Sequence, residues 1–152
     1  MQVFTALLTI SSGKRTELSD ITQLVREAIQ RCPRSVGIAL VNTLHTTCAL
    51  FVNEFQSALV DDLKRLLERL VPERAGHPHD DPRVSEGDRA NAHAHLRATL
   101  LGRSIAVGIR QGELALGRFQ SIVFAELDGP RQRCQRSANN PQLWSSNVPH
   151  PS

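Results

Sequence analysis

No tyrosine occurs in these 152 residues; tryptophan and methionine occur once each, and phenylalanine five times. So few rings leave little to stack nucleobases on, which argues against a single-strand nucleic-acid binder. Lysine is nearly missing too. Of 18 basic side chains only Lys14 and Lys64 are lysines, and the arginines are interspersed with acids, as in Asp61-Asp62-Leu63-Lys64-Arg65 and Glu68-Arg69. Despite a net charge of +3, this is the pattern of a mixed solvated surface, and only Arg131, Arg133 and Arg136 cluster. No nucleic-acid partner is expected, because RNA binding needs a basic stripe with interleaved aromatics. The cysteines, Cys32, Cys48 and Cys134, are odd in number and form no CxxC pair. That excludes a disulfide framework and a cysteine-based zinc finger. No run approaches the roughly 18 apolar residues of a membrane span, and the first residues have neither a basic leader region nor a clear cleavage site, so a cytoplasmic protein without a membrane partner is expected. GxSxG, P-loop, GxGxxG and HExxH patterns are absent as well.

What is present suits one globular domain. Hydrophobic residues make up 40% of the chain and charged residues 22%, enough to build a core without covalent staples. Residues 3–10 are apolar and β-branched and predict a strand, followed by a turn at Ser12-Gly13-Lys14. Asp20 is placed to cap a helix, with Gln23 as its capping-box partner; Ile21, Leu24, Val25, Ala28, Ile29 and Cys32 then recur at helical spacing up to Pro33. Residues 36–41 and 46–52 read as buried strands. A helix follows from Ser57, with Leu59, Leu63, Leu66, Leu67 and Leu70 on one side, and stops at Val71-Pro72. Residues 72–87 form the longest polar loop, a length that marks functional or disordered segments. Residues 90–101 predict a third helix closed by Gly102. Strands at 104–109, 114–116 and 121–127 complete the domain, with a turn at Gln111-Gly112. The order is not strictly βαβα, which favours an α+β fold with a largely antiparallel sheet. From residue 134 onward the chain holds few apolar residues and is expected to be an unfolded tail.

Five of the six histidines fall between His45 and His95. Candidate ligands come from His45 at a strand end, from His79 with Asp80 and Asp81 in the long loop, and from His93 or His95 on a helix. Imidazoles and carboxylates are the donors of a catalytic metal site with an open position. Two residues apart on a helix, His93 and His95 point roughly 200° apart, so only one of them can belong to such a site. Asn53-Glu54 and Glu126 lie at the ends of apolar strands, where a carboxylate is either a paired structural acid or a general base or ligand. Cys48, inside an apolar run, reads as an inert buried thiol.

Several segments together resemble one family. They are His45-Thr46-Thr47-Cys48-Ala49-Leu50, Asn53-Glu54-Phe55-Gln56-Ser57-Ala58-Leu59, His79-Asp80-Asp81-Pro82-Arg83, Asn91-Ala92 with Ala94-His95-Leu96, Leu100-Leu101-Gly102-Arg103-Ser104, Gly112-Glu113-Leu114-Ala115-Leu116-Gly117-Arg118-Phe119-Gln120, and Ala125-Glu126-Leu127-Asp128-Gly129-Pro130-Arg131. In order and spacing they are similar to the YjbQ-like family, also called secondary thiamine-phosphate synthase enzymes, over most of residues 1–133. The resemblance implies a small α+β domain of two packed, mostly antiparallel sheets with about three helices, assembled as a homotrimer. It implies a site near a subunit boundary with His45, His79 and His95 binding a divalent metal (zinc, magnesium or manganese) or phosphate. Glu54 would be base or ligand, Asn53 would orient it, and Gln120 and Glu126 are further polar positions. The implied activity is a weak, metal-assisted thiamine-phosphate synthase reaction, which joins a pyrimidine pyrophosphate to a thiazole phosphate and expels pyrophosphate. The alternative is a non-catalytic trimer that binds a metal or a phosphorylated metabolite. Three features depart from the family pattern: His77 replaces a usual Tyr, Phe119 replaces a usual Trp, and residues 134–152 lack the apolar strand that usually ends the domain.

Overall fold

The computed structural model describes residues 3–32, 35–85 and 89–137. Its strands are β1 (Ala6–Ser11), β2 (Glu17–Asp20), β3 (Val36–Thr43), β4 (Cys48–Asn53), β5 (Ser104–Arg110), β6 (Glu113–Leu114), β7 (Ser121–Glu126) and β8 (Gln132–Ser137). Its helices are α1 (Thr22–Gln30), α2 (Ser57–Leu70) and α3 (Ala92–Leu101). Every strand pairing is antiparallel, in one sheet of order β1-β8-β3-β5-β6 and another of order β2-β7-β4. The expected α+β class and packed sheets are what the chain adopts.

The layering follows from which residues are apolar on both faces. Ile122, Val123, Phe124 and Ala125 of β7 are each at most 1% exposed. One face of the small sheet, with Cys48, Leu50, Ile122 and Phe124, packs on Val41 and Val107 of the large sheet and on Ile21, Val25 and Ile29 at α1. The other face, with Leu18, Ala49, Val123 and Ala125, packs on Val60 and Leu67 of α2 and on Ala94 and Ala98 of α3. At the β5–β6 hairpin Gln111 and Gly112 both take positive φ, 53° and 79°, as a two-residue turn matched to strand twist requires. Gly102, at φ 88°, ends α3 and turns the chain into β5.

Two expectations change, and one strand is unforeseen. The Asp20–Gln23 capping box does not form: Asp20 Oδ1 accepts instead from the Thr22 backbone N–H at 2.8 Å and from its hydroxyl, while Gln23 turns outward to Glu27. The polar segment Glu17–Asp20 is a strand, recruited by β7 with only Leu18 in the core. Residues 134–137 continue β8 rather than starting a tail. Their backbone bridges β1 on one side and β3 on the other, so ladder hydrogen bonds on both flanks hold a strand that lacks apolar alternation. The rest of the expected tail, 138–152, lies outside the described residues.

Candidate functional site

The site begins with a charge buried at the end of β7. Glu126 has no exposed surface, and a carboxylate in that position needs partners that replace water. Arg133 of β8 supplies two, Nε donating to Oε2 at 2.6 Å and Nη2 to Oε1 at 2.9 Å. The Asp128 backbone N–H adds a third at 2.9 Å. Arg133 Nη2 also donates to Thr47 Oγ1 at 3.0 Å. Three of its five N–H groups are thereby used, and the two on Nη1 have no partner among the described residues. Cys48 packs its sulfur 3.7 Å from Glu126 Oε2; burial first and the carboxylate second push the thiol up to about 12, so it is inert near neutral pH.

A second acid organises the turn after β7. Asp128 Oδ2 accepts from Asn91 Nδ2 at 2.9 Å, Arg131 Nη2 at 2.9 Å and Arg89 Nη1 at 3.1 Å. Among the described residues three guanidiniums thus face two carboxylates, an excess of one positive charge.

The histidines arrive from separate elements. His45 sits in the β3–β4 connection beside Thr47. His95 projects from α3, and the ring of His79 lies over it, with centroids 5.1 Å apart and planes tilted by 44°. Asp80 places His79 there by capping α3, accepting from the Ala92 N–H at 2.8 Å. Burial, then Arg133, holds the His45 imidazole below its ordinary pKa; burial, then His79, does the same for His95. His93 points the other way and is fully enclosed.

His45 and His95 form the shared wall of a two-lobed cleft. The smaller lobe, about 280 Å³, is lined by Asn91, Asp128, Arg131 and Arg133 besides the two histidines. The larger, about 740 Å³, runs past Leu44, Ala98 and Thr99 to Arg103.

The other expected site residues lie elsewhere. Register pairs Cys48 with Glu126 at one end of β4 and Asn53 with Ser121 at the other, which separates Asn53 and Glu54 from the histidines by about 17 Å of strand. Gln120 stands at that far end as well, its Oε1 accepting from Gly117 N–H at 2.7 Å to close a turn. Glu126 is at the histidine end, but wholly buried. Among the described residues no three His, Cys, Asp or Glu side chains gather so as to hold a metal ion. His45, His79 and His95 therefore do not make a three-ligand shell within the described chain. With Arg131 and Arg133 beside them, the donors present suit an anion better than a cation. The residues that sequence reasoning passed over are Asn91, Asp128, Arg131, Arg133 and Arg103. A usable signal was there, since Glu126 with Asp128 and Arg131 with Arg133 alternate on either side of Gly129-Pro130, the spacing that puts pairs on one face.

Comparison with known proteins agrees with this architecture. The family model described as UPF0047 protein YjbQ-like matches residues 6–138. A UPF0047 protein of Archaeoglobus fulgidus is 46% identical over 127 residues, covering 83% of this chain and 93% of its own length. YugU of Bacillus subtilis is 36% identical over 126 residues, covering 83% and 91%. The crystal structure of a YbjQ-like protein of unknown function from Sulfolobus solfataricus superposes with a TM-score of 0.82 at 31% identity, covering 89% of this chain and 94% of that one. Another, a YjbQ/UPF0047 protein from Clostridium acetobutylicum, gives 0.77 at 30% identity, covering 86% and 95%.

Proposed function

This chain belongs to the YjbQ-like family UPF0047, and on that premise we propose that it binds a small phosphorylated metabolite in the cleft walled by His45 and His95. The observation that carries this reading is the convergence of Arg131, Arg133 and two imidazoles on the smaller lobe. Guanidinium groups match phosphate oxygens in geometry and charge. Glu126 and Thr47 hold the Arg133 fork in place, so its Nη1 donors are oriented before a ligand arrives. Asp128 does the same for Arg131. At neutral pH its depressed pKa leaves His95 uncharged and able to donate one N–H to a phosphoryl oxygen. Calorimetric titration with inorganic phosphate and with pyrophosphate tests the reading. Arg131→Gln should weaken both about tenfold, the weight of one hydrogen bond to a charged group. A chelator should leave binding unchanged. Equal affinity in the variant overturns the assignment.

The two-lobed cleft favours a second reading of the same site. A transfer that joins a pyrimidine pyrophosphate to a thiazole phosphate, as the likeness to secondary thiamine-phosphate synthases implies, needs two adjacent seats with the reacting ends between them. His45 and His95 stand at that junction. Product formation from this pair, lost in His95→Gln while phosphate still binds, would separate turnover from binding.

Asn53, Glu54 and Gln120 would join the site only across a subunit boundary of a homotrimer. Support for such an assembly comes from the outer face of the large antiparallel sheet, where Leu7, Val36 and Ile38 are exposed.

A further inference from the structure

The two lobes are unlike, and the difference speaks to what else the ligand carries. Three arginines line the cleft. Arg131 is tied to Asp128 and Arg133 to Glu126, whereas Arg103 has no carboxylate partner among the described residues. Its backbone is nevertheless fixed. The Arg103 carbonyl accepts from Thr43 N–H at 2.9 Å, and the Gly102 carbonyl before it from Leu50 N–H at 3.0 Å. The stem therefore emerges from a pinned crossing of β3, β4 and β5 and lines the larger lobe, whereas Arg131 and Arg133 line the smaller one. Apart from Arg103 and the two histidines the larger lobe is walled by uncharged residues, among them Asn42, Leu44, Thr46 and Ala98, with the Thr99 hydroxyl already donated to the His95 carbonyl at 2.9 Å. An otherwise uncharged lobe with one arginine, adjoining a lobe with two, fits a molecule that is anionic at two separate points.

We infer that the ligand bears a second anionic group, a carboxylate or another phosphate, seated against Arg103 with the first phosphate under Arg131 and Arg133. This rests on the phosphate-binding reading above and narrows it from phosphorylated metabolites in general to doubly anionic ones. It also gives Arg103 a specificity role that the first phosphate does not require.

Matched sugar phosphates test it on the full chain by calorimetric titration. The probes are 6-phosphogluconate and fructose 1,6-bisphosphate, each with two anionic groups, and sorbitol 6-phosphate, with one. The wild type should prefer the doubly anionic probes by about fivefold or more, the scale of one partly exposed charge pair. Arg103→Gln should erase that preference and leave sorbitol 6-phosphate affinity unchanged. Arg103 is exposed, so an unchanged melting temperature is expected and is checked alongside. Preference for only one of the two probes, lost in Arg103→Gln, would identify the group as carboxylate or phosphate. If all probes bind with no preference, or the preference survives in Arg103→Gln, the inference is overturned while the phosphate reading stands. If the wild type binds none of the probes or inorganic phosphate, both fall.

Discussion

His93 is a fully enclosed imidazole, and neither of its nitrogens makes a hydrogen bond among the described residues. Burial, then Arg97, lowers its pKa, with Arg15 acting in the same direction and Glu73 and Asp80 opposing. Arg97 cannot move aside to relieve it, because its guanidinium is bound to the Val71 carbonyl and to Glu68. The sign of the consequence is definite. A histidine depressed in the folded state contributes stability that is complete above its unfolded value of roughly 6.5 and is lost as pH falls through the folded value. Urea unfolding between pH 7.5 and 5 should show stability declining on the acid side. His93→Leu should flatten part of that decline, with His45 and His95 supplying the remainder. Identical slopes in variant and wild type would show that protonation of His93 is not resisted by the fold. The spacing of His93 and His95 showed that they face apart. It could not show which faces inward, because that depends on where α3 docks.

At the scale of elements, Asp80 ties the long loop to α3 across 12 positions. Asp80→Ala should cost about 1 kcal/mol of stability and speed hydrogen exchange in the first turn of α3, while the rest of the core stays protected. Loss confined to the loop, with α3 unaffected, would show that the cap is dispensable. α2 and α3 were legible because their signals are local: leucines at helical spacing from Ser57 to Leu70, and Gly102 at the end of the other. β2 and β8 were not, because polar segments become strands only when partners pair with them. The same division runs through the candidate site. His45 and His95 stood out by residue type. Arg133 and Asp128 looked like surface charges until the turn after β7 carried them against Glu126 and Asn91. Asn53 and Glu54 were grouped with the histidines by the family resemblance, near a subunit boundary; within one protomer the length of β4 stands between them and the histidines.

Across the whole molecule, the large sheet carries a hydrophobic outer surface. Val36 and Ile38 are 74% and 73% exposed on a central strand. If the proposed homotrimer forms through this face, Ile38→Glu should leave the protomer folded and give monomer where the wild type gives trimer in light scattering coupled to size exclusion. A trimer that survives the change would place the contact elsewhere. The pairing of β1 with β8 has a separate consequence for synthesis. Ser12 and Arg131, bonded to each other at 3.1 Å, stand 119 positions apart, and β8 fills the gap between β1 and β3. During translation both of those strands emerge with a bare edge and keep it until the ribosome has released almost the entire domain. A nascent chain stalled before Gln132 therefore presents β1 without its strand partner and β3 with one open edge, the kind of surface that pairs with whatever strand is near. Truncation at that point should produce insoluble protein rather than a smaller folded one, which makes release of the last strand the step at which chaperone protection matters most.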